Sequence, residues 1–104
     1  MRMVKNEEFL RKDKVIGIIK IENMLSGRIF LVKSTDVVKD YSRIRFSLDL
    51  GTFENSSLEE DYTKTGLELF DIALDAEADD EKSLDALLEE RKKHYSFLRK
   101  DFYL

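Results

Sequence analysis

Between Val15 and Ile21 the chain carries Val15, Ile16, Ile18, Ile19 and Ile21, which makes both alternating sides of an extended segment apolar and β-branched. Such a strand has no side that water can cover. It belongs in the centre of a sheet with a further layer on each face. Asn23-Met24-Leu25-Ser26-Gly27 follows with turn residues, and Arg28-Ile29-Phe30-Leu31-Val32-Lys33 reads as a second strand, so residues 15–34 are expected to form a β-hairpin.

A chain of 104 residues, 42% of them hydrophobic, can enclose one core of this kind. Surface scaling gives roughly 6,000 Å² folded against roughly 18,000 Å² unfolded, so about two-thirds of the surface is buried without staples. The division expected is an arm or short helix over 1–13, where charges mix with Phe9 and Leu10, and a single domain over 14–104. The chain has no cysteine and one histidine, His94, which excludes disulfides, thiolate metal sites, cysteine nucleophiles and multi-histidine sites within the chain. Apolar runs such as Ile29 to Val32 are far too short to span a bilayer, and the amino terminus alternates charge. A soluble, cytoplasmic protein without a membrane partner is expected.

After the hairpin, Ser34-Thr35-Asp36 offers helix caps, and Val37, Tyr41, Ile44 and Leu48 recur at helical spacing until Gly51. Asn55-Ser56-Ser57 opens a second helix, with Glu59 and Glu60 as capping-box partners of the serines, Leu58 and Tyr62 as its buried side, and Gly66 as a left-handed end. Phe70 to Leu74 alternates as a third strand, and the acidic stretch Asp75 to Glu81 reads as a loop. Ser83 is placed to cap a long last helix with the stripe Leu84, Leu87, Leu88, Arg91, Tyr95 and Leu98, and with Glu89 paired to Lys93. The order is β-β-α-α-β-α, a small α/β domain of the α+β kind: a three-stranded antiparallel sheet flanked by helices.

Few residues carry chemistry on their own. The acidic stretch fails as a calcium loop, since Asp80 stands where the glycine is needed and Ala86 where the bidentate glutamate belongs. His94 sits among Lys92, Lys93 and Tyr95 and reads as a surface residue; Gly17, inside a strand, reads as a place of close approach. Residues 1–50, 51–90 and 91–104 carry net charges of +4, −12 and +4. An acidic middle between basic ends is a poor footprint for nucleic acid, whose affinity comes mainly from displaced counterions. Phe102-Tyr103-Leu104 is either tucked against the domain or offered to a second chain.

The ordered pattern says more than any one residue. Gly17-Ile18-Ile19, the turn ending at Gly27, Phe30-Leu31-Val32 and the polar start Ser34-Thr35-Asp36 together resemble the hairpin and helix start of the GIY-YIG nuclease family. Asn55, Leu58 to Tyr62, Gly66, Phe70 and Ile72 resemble its second helix, glycine and third strand, so the likeness covers about residues 14–98. It implies metal-assisted phosphodiester cleavage by two tyrosines, an arginine and a metal-binding glutamate. At those positions this sequence has Ile19, Phe30, Asp40 and Arg91, with Val32 for the second motif's glycine, and a shift of one residue would bring in Glu90 for Arg91. Isoleucine and phenylalanine have no hydroxyl, Asp40 would repel phosphate and Arg91 would repel metal. The swapped charges of Asp40 and Arg91 either pair across the former cleft or are unrelated surface charges.

The resemblance therefore implies a catalytically inactive GIY-YIG-like domain without a cofactor, serving as a binding or interaction module for an unknown protein partner or for itself, through its apolar last helix and tail. Phe97 and Phe102 would contribute to self-association. The competing expectation is a divergent endonuclease that uses a divalent metal such as magnesium on Glu90, with Arg43 or Arg45 near the phosphate. A third is a nucleic-acid binder with Lys33, Lys39, Arg43 and Arg45 on one face.

Overall fold

The computed structural model describes residues 15–103; the arm expected over 1–13 lies outside the described residues. Strands β1 (Gly17–Asn23) and β2 (Ile29–Ser34) are followed by helices α1 (Val37–Leu50) and α2 (Ser56–Thr65), strand β3 (Phe70–Glu77) and helix α3 (Leu84–Phe97), with single 3-10 turns at Leu67–Leu69 and Glu81–Ser83. The sheet order is β2-β1-β3, antiparallel throughout, and β1 is central as its two apolar sides require. No helix among the described residues is long and apolar enough to cross a membrane.

Local chemistry accounts for most element ends. Asn23 Oδ1 accepts from the Leu25 and Ser26 amides at 2.9 and 3.3 Å, and Gly27 takes the left-handed conformation that closes the hairpin. Asp36 caps α1 by accepting from the Lys39 amide, and Gly51 ends it at φ 76°. Asn55 alone caps α2, its side chain accepting from the Leu58 amide at 3.0 Å. The expected serine capping box does not form: Glu59 accepts from the Phe53 amide and Glu60 meets Lys64, because Asn55 already supplies the oxygen. Gly66 has positive φ but an extended ψ of 168°, turning the chain into the 3-10 turn at Leu67–Leu69 that precedes β3. At α3, Asp80 and not Ser83 caps the 3-10 turn that leads into the helix, and Glu89 pairs with Lys92 rather than Lys93.

The strand pairing places the side chains in two layers. Ile19 and Ile21 of β1, with Phe70 and Ile72 of β3, face α1 and α2 and share a core with Val37, Leu48, Leu58 and Tyr62. On the other face lie Ile18, Lys20 and Glu22, against which α3 sets Leu84 and Tyr95. Ile18, Ile19, Ile21 and Ile72 are fully buried. Strand β3 extends to Glu77, so Asp75 and Glu77 are strand residues and not the start of a loop; pairing with Ile18 and Gly17 overrides the acidic composition.

The pairing slips between Ile18 and Ile19, whose partners Ala76 and Leu74 leave Asp75 as the extra residue on β3. A Cβ on Gly17 would lie 2.3 Å from the Ala76 carbonyl oxygen, which is the close approach expected from its sequence position. Gly17→Ala is expected to cost about 2 kcal/mol as β1 and β3 are forced apart, whereas Gly51→Ala meets open space and pays only for its left-handed backbone, about 1 kcal/mol. Urea unfolding midpoints of the two variants check the order.

Candidate functional site along the β2 edge

The four positions that the family resemblance marks are distributed over both faces of the sheet. Ile19 is sealed in the α1 side core at 0% exposure. Phe30 is partly buried and meets Phe53 edge to face, with ring centroids 5.6 Å apart. Asp40, in the first turn of α1, accepts from the Ser34 hydroxyl at 2.5 Å through one oxygen and from the Arg43 guanidinium through the other. Arg91 sits on the opposite face and donates to both carboxylate oxygens of Asp75, at 2.8 and 3.4 Å.

Of the two alternatives for Asp40 and Arg91, pairing across the cleft does not occur, since each charge is taken by a nearer partner. Asp40 lies beside Leu84 and Asp85 at the start of α3, and Arg91 lies two turns further on, about 10 Å along the axis. The Asp75 carboxylate is 5% exposed and also accepts from the Tyr95 hydroxyl. That carboxylate holds the Arg91 pKa above its ordinary value, against the opposing effect of burial. Lys20 stacks over the Tyr95 ring at 5.3 Å and meets Glu22, and these contacts outweigh burial and raise its pKa.

Three recesses follow the β2 side of the sheet. A groove of 450 Å³ is lined by Phe30, Leu31, Lys92, Ser96, Phe102 and Tyr103. Next to it are a recess of 390 Å³ that includes Lys33, Ser34, Asp40, Glu81 and Asp85, and one of 230 Å³ that includes Val32, Lys33, Asp40, Arg43 and Phe53. The structure thus brings Phe30, Lys33, Asp40 and Arg43 to one edge and leaves Ile19 and Arg91 out of it.

The four basic candidates do not act as one patch. Lys33 is held by Asp85 at 2.5 Å and Arg43 by Asp40, while Lys39 is exposed on the same side of α1. Arg45 lies about 160° round the helix from Arg43. It turns towards α2, where the Tyr62 hydroxyl donates to Asp49 at 2.5 Å and the Arg45 Nε lies 3.9 Å from the same carboxylate. Burial, and the Asp49 carboxylate beside it, raise the Tyr62 pKa.

Glu90 is exposed, and it lies on the flank of α3 away from Lys92 and Ser96, the residues that reach Phe30. Glu89 shares the flank of Asp85, Lys92 and Ser96 instead, and its carboxylate is 3.6 Å from Lys92. Sequence reasoning read Glu89 only as a partner of Lys93; its i, i+4 spacing from Asp85 was the signal that places it on this flank. It also missed the latch on the carboxyl-terminal segment. Tyr103 is 3% exposed, its hydroxyl donates to Asp61 at 2.7 Å and accepts from Asn23 at 3.0 Å, and Phe102 bridges to Ile29 as a short parallel strand. Of the two alternatives, the tucked one is observed for Phe102 and Tyr103. Burial and Asp61 raise the Tyr103 pKa, with the Asn23 amide opposing them.

Two solved structures resemble this chain: the catalytic domain of the homing endonuclease I-TevI and a mutant form of it, each 24% identical. The first aligns over 81% of this chain and 88% of its own at a TM-score of 0.66, the second over 82% and 84% at 0.65. The fold is the one these two structures share. The three-stranded antiparallel sheet with its helices matches the architecture expected from the sequence. No family model and no curated protein matches the chain.

Two outcomes follow from these contacts. Asp75→Asn leaves Arg91 without its counter-charge and is expected to cost about 3 kcal/mol, against about 1 kcal/mol for the more exposed pair broken by Lys33→Met; chemical denaturation reads both. Burial alone would raise the Glu22 pKa, but Lys100 and Lys20 outweigh it and hold the carboxylate below its ordinary value. Its contribution is then complete above the ordinary carboxylate pKa and disappears as pH falls through the depressed one. The difference in thermal midpoint between the natural protein and Glu22→Gln should therefore shrink between about pH 6 and pH 2.

Proposed function

We propose that this chain is a catalytically silent form of the nuclease fold that serves as a protein-interaction module. The observation that carries the reading is Ile19, fully buried where the resemblance implies a tyrosine. A buried alkyl group can neither orient water nor bond a phosphate oxygen. Phe30, likewise without a hydroxyl, is engaged with Phe53, and Asp40 places a carboxylate where a cation would have to meet phosphate.

The residues at the β2 edge do not fit the divalent metal that the resemblance implies. A hard cation needs several free oxygen ligands, whereas Asp40, Asp85 and Glu89 each face a cationic side chain, from Arg43, Lys33 and Lys92. Among the described residues no group of three metal-ligating side chains is placed to hold an ion. The reading accordingly assigns no cofactor. Support for interaction comes from apolar side chains left in water: Phe46 and Leu50, one turn apart on α1, and Phe97, which is 86% exposed, with Leu98 at the end of α3.

The test is incubation with fluorescent single- and double-stranded DNA and RNA in magnesium or manganese, with binding read after chelation. Neither cleavage nor salt-sensitive binding is expected. Cleavage that Glu89→Ala or Glu90→Ala abolishes would establish a metal-dependent endonuclease and overturn the reading, and steeply salt-dependent binding without cleavage would make the protein a nucleic-acid binder.

A further inference from the structure

Helices α1 and α3 end in the same backbone device with different residues at its reversing position. After α1, the Gly51 and Thr52 amides donate to Leu48 and Ser47. After α3, the Arg99 amide donates to Ser96 at 3.0 Å and the Lys100 amide to Tyr95 at 2.9 Å. The reversing residue is left-handed in both, at φ 76° for Gly51 and 62° for Arg99. Glycine takes this conformation freely, while a side chain pays about 1–2 kcal/mol for it. Arg99 is the non-glycine residue with positive φ among the described residues.

Beyond Arg99, residues 100–103 are held by the hairpin and by α2. Lys100 donates to Glu22 at 2.7 Å, the Ile29 amide donates to the Asp101 carbonyl at 2.9 Å, and the Tyr103 amide donates to the Ile29 carbonyl at 2.8 Å. Arg28 covers the Tyr103 ring at 4.3 Å, and Asn23 and Asp61 hold its hydroxyl. A short segment, docked by specific contacts and joined through a strained hinge, meets the physical conditions for exchange between copies.

We propose that the partner of this module is a second copy of the same chain, joined by reciprocal exchange of residues 100–103. When Arg99 leaves the left-handed region, α3 runs on and carries the segment away from its own hairpin. The vacated Ile29 edge then accepts the same segment from the other copy. Each segment recovers its former contacts, the strain at two Arg99 residues is released, and Phe97 and Leu98 are covered where the extended helices meet. The arrangement is two-fold and closed, so it stops at a dimer. This names the partner for the interaction reading above and rests on that reading for its purpose alone. Nucleolytic activity would sink the earlier reading without touching the mass measurements that follow.

Molar mass is measured by light scattering across a concentration series for the natural protein and for Arg99→Gly. A concentration-dependent dimer is expected, and Arg99→Gly should weaken it by about tenfold or more because glycine removes the hinge strain. The decisive step mixes Glu22→Lys with Lys100→Glu. Each variant alone sets like charges against each other in its own latch, whereas an exchanged dimer containing one of each restores both opposite-charge contacts. Mixed dimers in excess of either self-dimer, with the double variant behaving like the natural protein, are the expected result. A natural protein that is monomeric at every concentration overturns the proposal, and so does a dimer indifferent both to Arg99→Gly and to the charge pattern, which would be an ordinary surface contact.

Discussion

The burial of β1 on both faces is the constraint from which the other elements follow. Ile18 points to one layer and Ile19 and Ile21 to the other, all without exposure, so neither side of the sheet can be left to solvent. Fully burying one such side chain is worth about 1.5–3 kcal/mol, and losing either helical layer would forfeit several of them at once. Helices α1 and α2 must therefore close one face and α3 the other. The glycine at position 17 belongs to the same constraint, because without a Cβ it lets β3 approach closely enough to cover the start of the strand.

Features encoded in neighbouring residues were legible. The hairpin, the bounds of α1 between Asp36 and Gly51, and Leu58 and Tyr62 as the buried side of α2 all depend on spacings of a few residues. Features that depend on distant partners were not. The acidic stretch from Asp75 reads as solvated until β1 is seen pairing with it and Arg91 is seen reaching it from 16 residues away. Asp40 and Arg91 looked complementary in a linear alignment because the alignment does not show that Ser34, Arg43 and Asp75 stand closer to them. Whether the four positions marked by the resemblance converge is a property of the sheet faces, and only the strand register decides it.

The uneven charge along the chain has a counterpart in space. Arg28 and Lys33 from the basic first half reach Asp61 and Asp85 in the acidic middle, and Arg91 from the basic end reaches Asp75. The segments neutralise one another across the fold, which lowers the repulsion that a charge of −12 over 40 residues would otherwise bring. The same pairing leaves Lys33, Asp40, Arg43 and Asp85 along the β2 edge already engaged with one another.

The docking of Tyr103 against Asn23 joins residues 80 positions apart, and Lys100 meets Glu22 across 78. During synthesis the hairpin emerges first, yet β1 waits for β3 to cover its second edge and then for residues 100–103 to close the turn end of the hairpin. Loop closure over such separations comes late because its entropy must be met before the contacts form. A chain in which residues 100–103 have not yet docked would thus present a complete sheet with the Ile29 edge bare, a template for misassembly with other unfinished chains.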